Sequence, residues 1–221
     1  MRKLIPAALA LSVALGARAQ TLKNDDEKTL YAIGVLIAKN LQVFNLSPAE
    51  FEIVKRGLSD ASSGKKLQAE PEAYQQKVNQ LAQSRMKVVA EKQKEADKGY
   101  LEKAAAEKGA EKSPSGLIYI PVQEGTGAQP KETDTVKVHY TGTLTDGKVF
   151  DSSVQRGQPA EFPLNQVIKC WTEGVAKMKT GGKAKLVCPS SIAYGDEGRP
   201  PVIPGGATLV FEVELLEVVK K

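Results

Sequence analysis

The residues of this chain best suited to chemistry are an aromatic ring and a carboxylate in succession, Phe150-Asp151, followed at wider spacing by Trp171, Tyr194 and Phe211. Val136, Val138 and Tyr140 alternate with Thr135, Lys137 and His139, the period-2 pattern of a half-buried strand. Asp146-Gly147 supplies the positive-φ pair of a tight hairpin, so Val149-Phe150-Asp151 returns along a partner strand. The lone histidine, His139, falls on the face opposite Tyr140. With no second histidine and no reactive cysteine beside it, neither a Cys-His hydrolase nor a zinc site is supported, and no cofactor is called for. Taken singly, Trp171 and Phe211 read as core aromatics, Asp151 as a turn cap ahead of Ser152-Ser153, and Tyr194 as part of a turn.

The elements that must position these residues begin with an N-terminal export pattern. Arg2-Lys3, an apolar run from Leu4 to Gly16 and then Ala17-Arg18-Ala19 form the charged, apolar and small-residue layout of a signal peptide, residues 1–19. The run is too short to span a membrane, and no later run is long enough. The predicted location is outside the cytoplasm, in the periplasm or associated with the outer membrane or cell surface. Removing residues 1–19 takes lysine plus arginine from 31 to 28 against 26 acids, so the mature chain carries about +2 and charge gives no support to nucleic-acid binding. Cys170 lies just ahead of an apolar helix expected to start at Trp171, and Cys188 points inward from the strand Ala184–Cys188. In an exported protein they form a disulfide or remain two buried thiols, and the oxidising compartment favours the disulfide.

Residues 20–66 read as a helical module. Asn24-Asp25-Asp26 offers caps before Leu30, Ile33, Ile37 and Leu41 at helical spacing. Ser47, Pro48 and Glu50 form a capping box ahead of Phe51, Val54 and Leu58. Two such helices bury too little to be stable alone, so a homodimer is expected to cover them; a cap folded onto its own chain is the alternative. Residues 67–112 read as a long connecting helix, rich in Ala, Glu, Lys and Gln from Pro71 to about Lys108. Its apolar contacts, Tyr74, Val78, Leu81, Met86 and Val89, stop halfway, which predicts a second half standing in water with Gly99 as a soft point. Residues 113–221 then show strands near 116–122, 134–140, 148–153, 182–188 and 207–218 around one short helix, an α+β arrangement.

The run Val-His-Tyr-Thr-Gly (138–142), Asp146-Gly147 and Phe-Asp-Ser-Ser (150–153) resembles the signature of the FKBP prolyl isomerases. The likeness resumes at Val167-Ile168 with Trp171, at Ala193-Tyr194-Gly195, and from Ile203-Pro204 to Phe211, and covers roughly residues 114–221. Leu30–Gly34, Lys39-Asn40 and Lys55–Leu58 also resemble the dimerisation module of the bacterial branch typified by macrophage infectivity potentiator and FkpA. The resemblance implies a curved antiparallel sheet wrapped on the short helix, and cis-trans isomerisation of Xaa-Pro bonds during folding of exported proteins. It implies Trp171 as pocket floor, with Tyr140, Phe150, Phe162, Val167, Ile168 and Phe211 as walls. It further implies Asp151 and Tyr194 as polar contacts, Arg156 holding Asp151, the Ile168 N–H as a donor, and Val202 and Ile203 shaping the rim. Of these, Asp151, Tyr194, Phe150 and Trp171 form the expected catalytic set. Its partners are proline-containing unfolded chains or peptides, with macrolides as possible inhibitors. The chain departs from the family pattern in four places: Ala160 in place of a Phe, Gln166 in place of an acid, the pair Lys169-Cys170 ahead of the tryptophan, and Arg199 on the rim. The competing reading is a dimeric holdase whose cleft cradles unfolded chains and whose isomerase pocket is incidental.

Overall fold

The computed structural model describes residues 21–219; the predicted signal peptide lies outside the described residues. Three helices lead the chain: α1 (Asp25–Asn40), α2 (Pro48–Ser62) and α3 (Pro71–Ala105), with a 3-10 turn at Leu41–Phe44 between the first two. Their starts follow the local chemistry. Asn24 Oδ1 accepts from the Glu27 N–H at 2.8 Å. At α2 the Ser47 side chain accepts from the Glu50 N–H, while the Ser47 N–H donates to the Glu50 carboxylate at 2.8 Å. Those bonds from Ser47, backbone first, and an ion pair with Arg85 hold the Glu50 carboxyl down at about 2. Neither α1 nor α2 contains a buried residue.

The rest of the chain forms seven strands: β1 (Glu111–Lys112), β2 (Ile118–Gln123), β3 (Thr135–Leu144), β4 (Val149–Ser152), β5 (Ala160–Pro163), β6 (Lys183–Cys188) and β7 (Leu209–Val219). They make one antiparallel sheet in the order β1-β2-β6-β7-β3-β4, with β5 also paired to β3. Helix α4 (Lys169–Ala176) lies on its concave face, and Trp171 and Val175 join Val136, Val138, Tyr140, Leu186, Phe211 and Val213 in the main core. The helix begins two residues earlier than its apolar pattern suggests, so Cys170 lies within its first turn rather than ahead of it. Strand β5 lacks a period-2 run and was not legible in the sequence; its register against β3 pairs Phe162 with Val136 and Ala160 with Val138.

The second half of α3 does not stand in water. Ala90, Asp97 and Ala104, seven residues apart, are all buried. Ala104, with Tyr100 and Leu101, packs on Ile118, Ile120, Val187 and Val210 from the convex side of the sheet, a second core. The apolar pattern fades after Val89 because the positions buried there at seven-residue spacing are two alanines and one carboxyl group, with Tyr100 and Leu101 only partly covered beside them. Asp97 is 2% exposed and accepts from the Thr208 N–H at 2.7 Å, the Thr145 hydroxyl at 2.7 Å and the Gln93 amide at 3.0 Å. Gly206 packs so closely that a Cβ there would lie 2.2 Å from the Ala90 carbonyl oxygen. Gly99 lies within the unbroken helix. Asp97→Ala leaves a buried N–H without its acceptor and is expected to cost about 3 kcal/mol, with Asp97→Asn milder; urea unfolding of the two variants measures this.

Candidate functional site

The hairpin β3–β4 and helix α4 bring the chemistry-bearing residues to one cavity. Tyr140 is on the inward face of β3, Phe150 and Asp151 are on β4, and Phe211 comes from β7, paired across from Gly142. Trp171 enters from the first turn of α4, whose start is capped by the Ile168 carbonyl accepting from the Trp171 N–H at 2.9 Å and the Thr172 N–H at 3.2 Å. The Ile168 N–H itself has no intrachain partner among the described residues.

Trp171 is held edge-to-face by three rings: Tyr140 at 5.1 Å, Phe211 at 5.4 Å and Phe162 at 5.5 Å between centroids. Phe150 meets Phe211 in the same manner at 5.6 Å. Such contacts add roughly 0.5–1.5 kcal/mol each beyond area burial and fix ring orientation. The open cavity they border, about 460 Å³, is lined by the rings of Tyr140, Phe150, Phe162, Trp171, Tyr194 and Phe211, with Val167, Ile168 and Gln166. Asp151 and Arg199 complete its lining. Arg199 stacks over the Tyr194 ring at 5.7 Å.

Asp151 is the polar focus. Its carboxylate accepts a short hydrogen bond from the Tyr140 hydroxyl and pairs with the Arg156 guanidinium, which also donates to the Tyr140 oxygen at 3.1 Å. Partial burial would raise the Asp151 carboxyl, but the Tyr140 and Arg156 bonds outweigh it and hold it below its ordinary range. Burial and the hydrogen bond to Asp151 push the Tyr140 hydroxyl up. The carboxylate is therefore ionised and the phenol protonated throughout the neutral range, so neither is poised to exchange a proton there. His139 faces away, 3.2 Å from the Ser153 hydroxyl.

The predicted residues divide into two groups by position. Phe150, Asp151, Tyr194, Trp171, Tyr140, Phe162, Val167, Ile168 and Phe211 line the cavity. Val202 and Ile203 instead line an adjoining recess with Phe150, Asp151, Tyr194, Arg199 and Pro200, and Arg156 stands behind Asp151 rather than on the wall. Ala160 packs beside the core from β5 and does not line the cavity. Two contributions escaped sequence reasoning. The hydroxyl of Tyr140, expected only as a wall, orients Asp151. Gly142 lets two rings cross β3: a Cβ there would lie 2.6 Å from Phe150 and 3.0 Å from Phe211. The signature's Thr-Gly was a visible signal for it, but only the packing gives the reason.

Cys170 and Cys188 are joined in a disulfide with their Cα atoms 5.7 Å apart, tying the residue next to Trp171 to β6. Both are fully buried. Closing an 18-residue separation corresponds to about 3 kcal/mol in the chain-entropy account. A Cys170→Ala, Cys188→Ala variant is expected to unfold at correspondingly lower urea, and reductant is expected to affect the wild type only after unfolding.

Residues 126–216 match the family model for FKBP-type peptidyl-prolyl cis-trans isomerase, and residues 26–120 match that for the domain amino terminal to it. The chain is 42% identical to FKBP-type peptidyl-prolyl cis-trans isomerase FkpA of Escherichia coli K12 over 209 residues, 89% of this chain and 77% of that protein. It is 36% identical to peptidyl-prolyl cis-trans isomerase Mip of Coxiella burnetii, with both chains covered in full. The crystal structure of E. coli FkpA superimposes with a TM-score of 0.65 at 40% identity, over 90% of this chain and 98% of that one. With both halves matched and the cavity built from the family's signature, the chain belongs to the FKBP-type peptidyl-prolyl cis-trans isomerases.

Proposed function

We propose that this peptidyl-prolyl cis-trans isomerase turns over Xaa-Pro bonds in the cavity floored by Trp171, and that it acts on exported proteins while they fold. The observation that carries the site assignment is the ring-lined cavity with one ionised carboxylate at its edge and no proton-transfer pair. Rotation about an Xaa-Pro bond is opposed by amide resonance, with a barrier near 18–20 kcal/mol. The planar amide is more dipolar than the twisted one. Moving it from water to an apolar cavity therefore destabilises the ground state relative to the transition state, and no bond to the enzyme need form. In this reading the proline ring rests on Trp171 between Tyr140, Phe162 and Phe211. The Ile168 N–H and the Tyr194 hydroxyl hold flanking carbonyls. Asp151, oriented by Tyr140 and Arg156, meets the rotating carbonyl, while Phe150, Val167, Val202 and Ile203 shape the rim. A macrolide presenting a proline-like ring to the same cavity would compete with substrate.

Cis/trans exchange of an Ala-Xaa-Pro-Phe peptide, followed by NMR, tests the site. An Asp151→Ala, Tyr194→Phe variant is expected to lose at least about tenfold in kcat/KM, or 1.4 kcal/mol. An unchanged rate would remove Asp151 and Tyr194 from the mechanism. The same assay is expected to give a flat kcat/KM from about pH 5.5 to 8.5. The depressed Asp151 carboxyl loses its charge, and with it its contribution to stability, only as pH falls through its lowered folded value; the raised Tyr140 hydroxyl stays protonated. A bell-shaped profile centred near neutrality would instead indicate acid–base catalysis.

Homodimerisation through the N-terminal helices is supported by their bare apolar side chains. On α1, Leu30 is 68% and Leu36 59% exposed; on α2, Ile53 is 61% exposed. Such a surface also favours a second role, as a holdase for unfolded chains. No helix among the described residues is long and apolar enough to cross a membrane. The signal-like residues 1–19 support export, with the periplasm or the outer cell surface as destination. Sedimentation is expected to show a dimer that Leu36→Glu converts to monomer. The variant's peptide rate should hold within about twofold while its suppression of aggregation weakens. Equal suppression by the monomer would refute the dimer-dependent holdase.

A further inference from the structure

The rim segment from Tyr194 to Gly206 has a second side that the isomerase cavity does not use. Facing α3 and the 3-10 turn at Leu41–Phe44, it closes a hollow of about 200 Å³ whose apolar lining is Val43, Met86, Val89, Pro201, Ile203 and Pro204. Pro200 and Ile203 line this hollow and also the recess beside Phe150 and Asp151. That recess in turn shares Phe150, Asp151, Tyr194 and Arg199 with the aromatic cavity. Cavity, recess and hollow therefore follow one another along the rim.

The hollow is held in shape from several sides. Asp97 fastens α3 to the Thr208 N–H, and Lys94 pairs with Asp196 of the rim at 2.6 Å. Gly206 brings the rim backbone against Ala90. On the other wall, Arg85 donates to Glu50 at 2.6 Å and to the Asn45 carbonyl at 3.4 Å, tying the turn region to α3. Preorganised walls lower the ordering cost of binding. At this size the hollow falls below the roughly 300–1,000 Å³ of small-molecule pockets, and its lining suits one large apolar side chain.

We infer that the hollow is an accessory subsite that takes a large apolar side chain of the same polypeptide whose Xaa-Pro bond occupies the aromatic cavity, a few residues along the chain from that proline. This rests on the isomerase-site reading above, and it makes an extended, unfolded chain with scattered apolar residues the preferred substrate class. A contact made in the hollow, which shares no lining residue with the aromatic cavity, binds ground state and transition state alike, so its effect belongs in KM rather than kcat.

The test uses the full-length protein and three peptides: a tetrapeptide too short to leave the cavity, and two of about 15 residues with one shared Xaa-Pro core. One long peptide carries Phe or Leu at positions flanking the core on both sides, and the other carries Ser there. The wild type is expected to favour the apolar-flanked peptide about tenfold in kcat/KM, through KM. Met86→Glu is expected to abolish that preference, and Met86→Ala, which keeps helix propensity, to reduce it. Both should leave the tetrapeptide rate within about twofold and the sedimentation coefficient unchanged. No preference in the wild type, or one that survives Met86→Glu, overturns the subsite. A change of oligomeric state in Met86→Glu overturns it too, by assigning the hollow to a second copy of the chain. Failure of a folded wild type to turn over even the tetrapeptide would strike the isomerase-site reading instead.

Discussion

The site depends on the way Trp171 is clamped. Its ring is 4% exposed and touched edge-on by Tyr140, Phe162 and Phe211, which come from three different strands of one sheet. In each T-shaped contact the positive edge of one ring meets the negative face of the other, so the cluster has few alternative arrangements of equal energy. The sheet must curl for β5, β3 and β7 to present their rings to one helix, and the disulfide at Cys170 holds that helix to β6. The indole Nε1 is buried without a hydrogen-bond partner among the described residues.

Electrostatics complement this apolar floor without supplying acid–base chemistry. Asp151 belongs to a triad with Tyr140 and Arg156 in which every member keeps its ordinary neutral-pH charge more firmly than in water. Such an arrangement fixes the direction of a dipole and does not move protons. It suits a reaction whose barrier is rotational.

Helix α3 links the N-terminal helices to the catalytic half and is also part of that half. Its buried Asp97 substitutes for a strand-edge partner by accepting the Thr208 N–H, and Tyr100, Leu101 and Ala104 cover the convex face of the sheet. A fragment cut at residue 114 would uncover Ile118, Ile120, Val187 and Val210 together. The same helix braces the rim beside the candidate site through Lys94 and Asp196.

The sequence by itself determined what depends on local pattern. Period-2 alternation marked β3 and β7, the Ser47–Glu50 box marked the start of α2, and the ordered signature from Val138 to Phe211 named the residues that meet at the cavity. Tertiary structure decided what depends on contacts between distant segments. A carboxyl group at position 97 reads as one more solvated charge on a helix until Thr208, 111 residues away, places its N–H against it. Val210 reads as an outward residue of a one-sided strand until α3 covers it. Strand β5 has no alternation because it is a short edge segment whose pairing is imposed by β3. Burial is a property of pairs of surfaces, and one strand of text records only one of them.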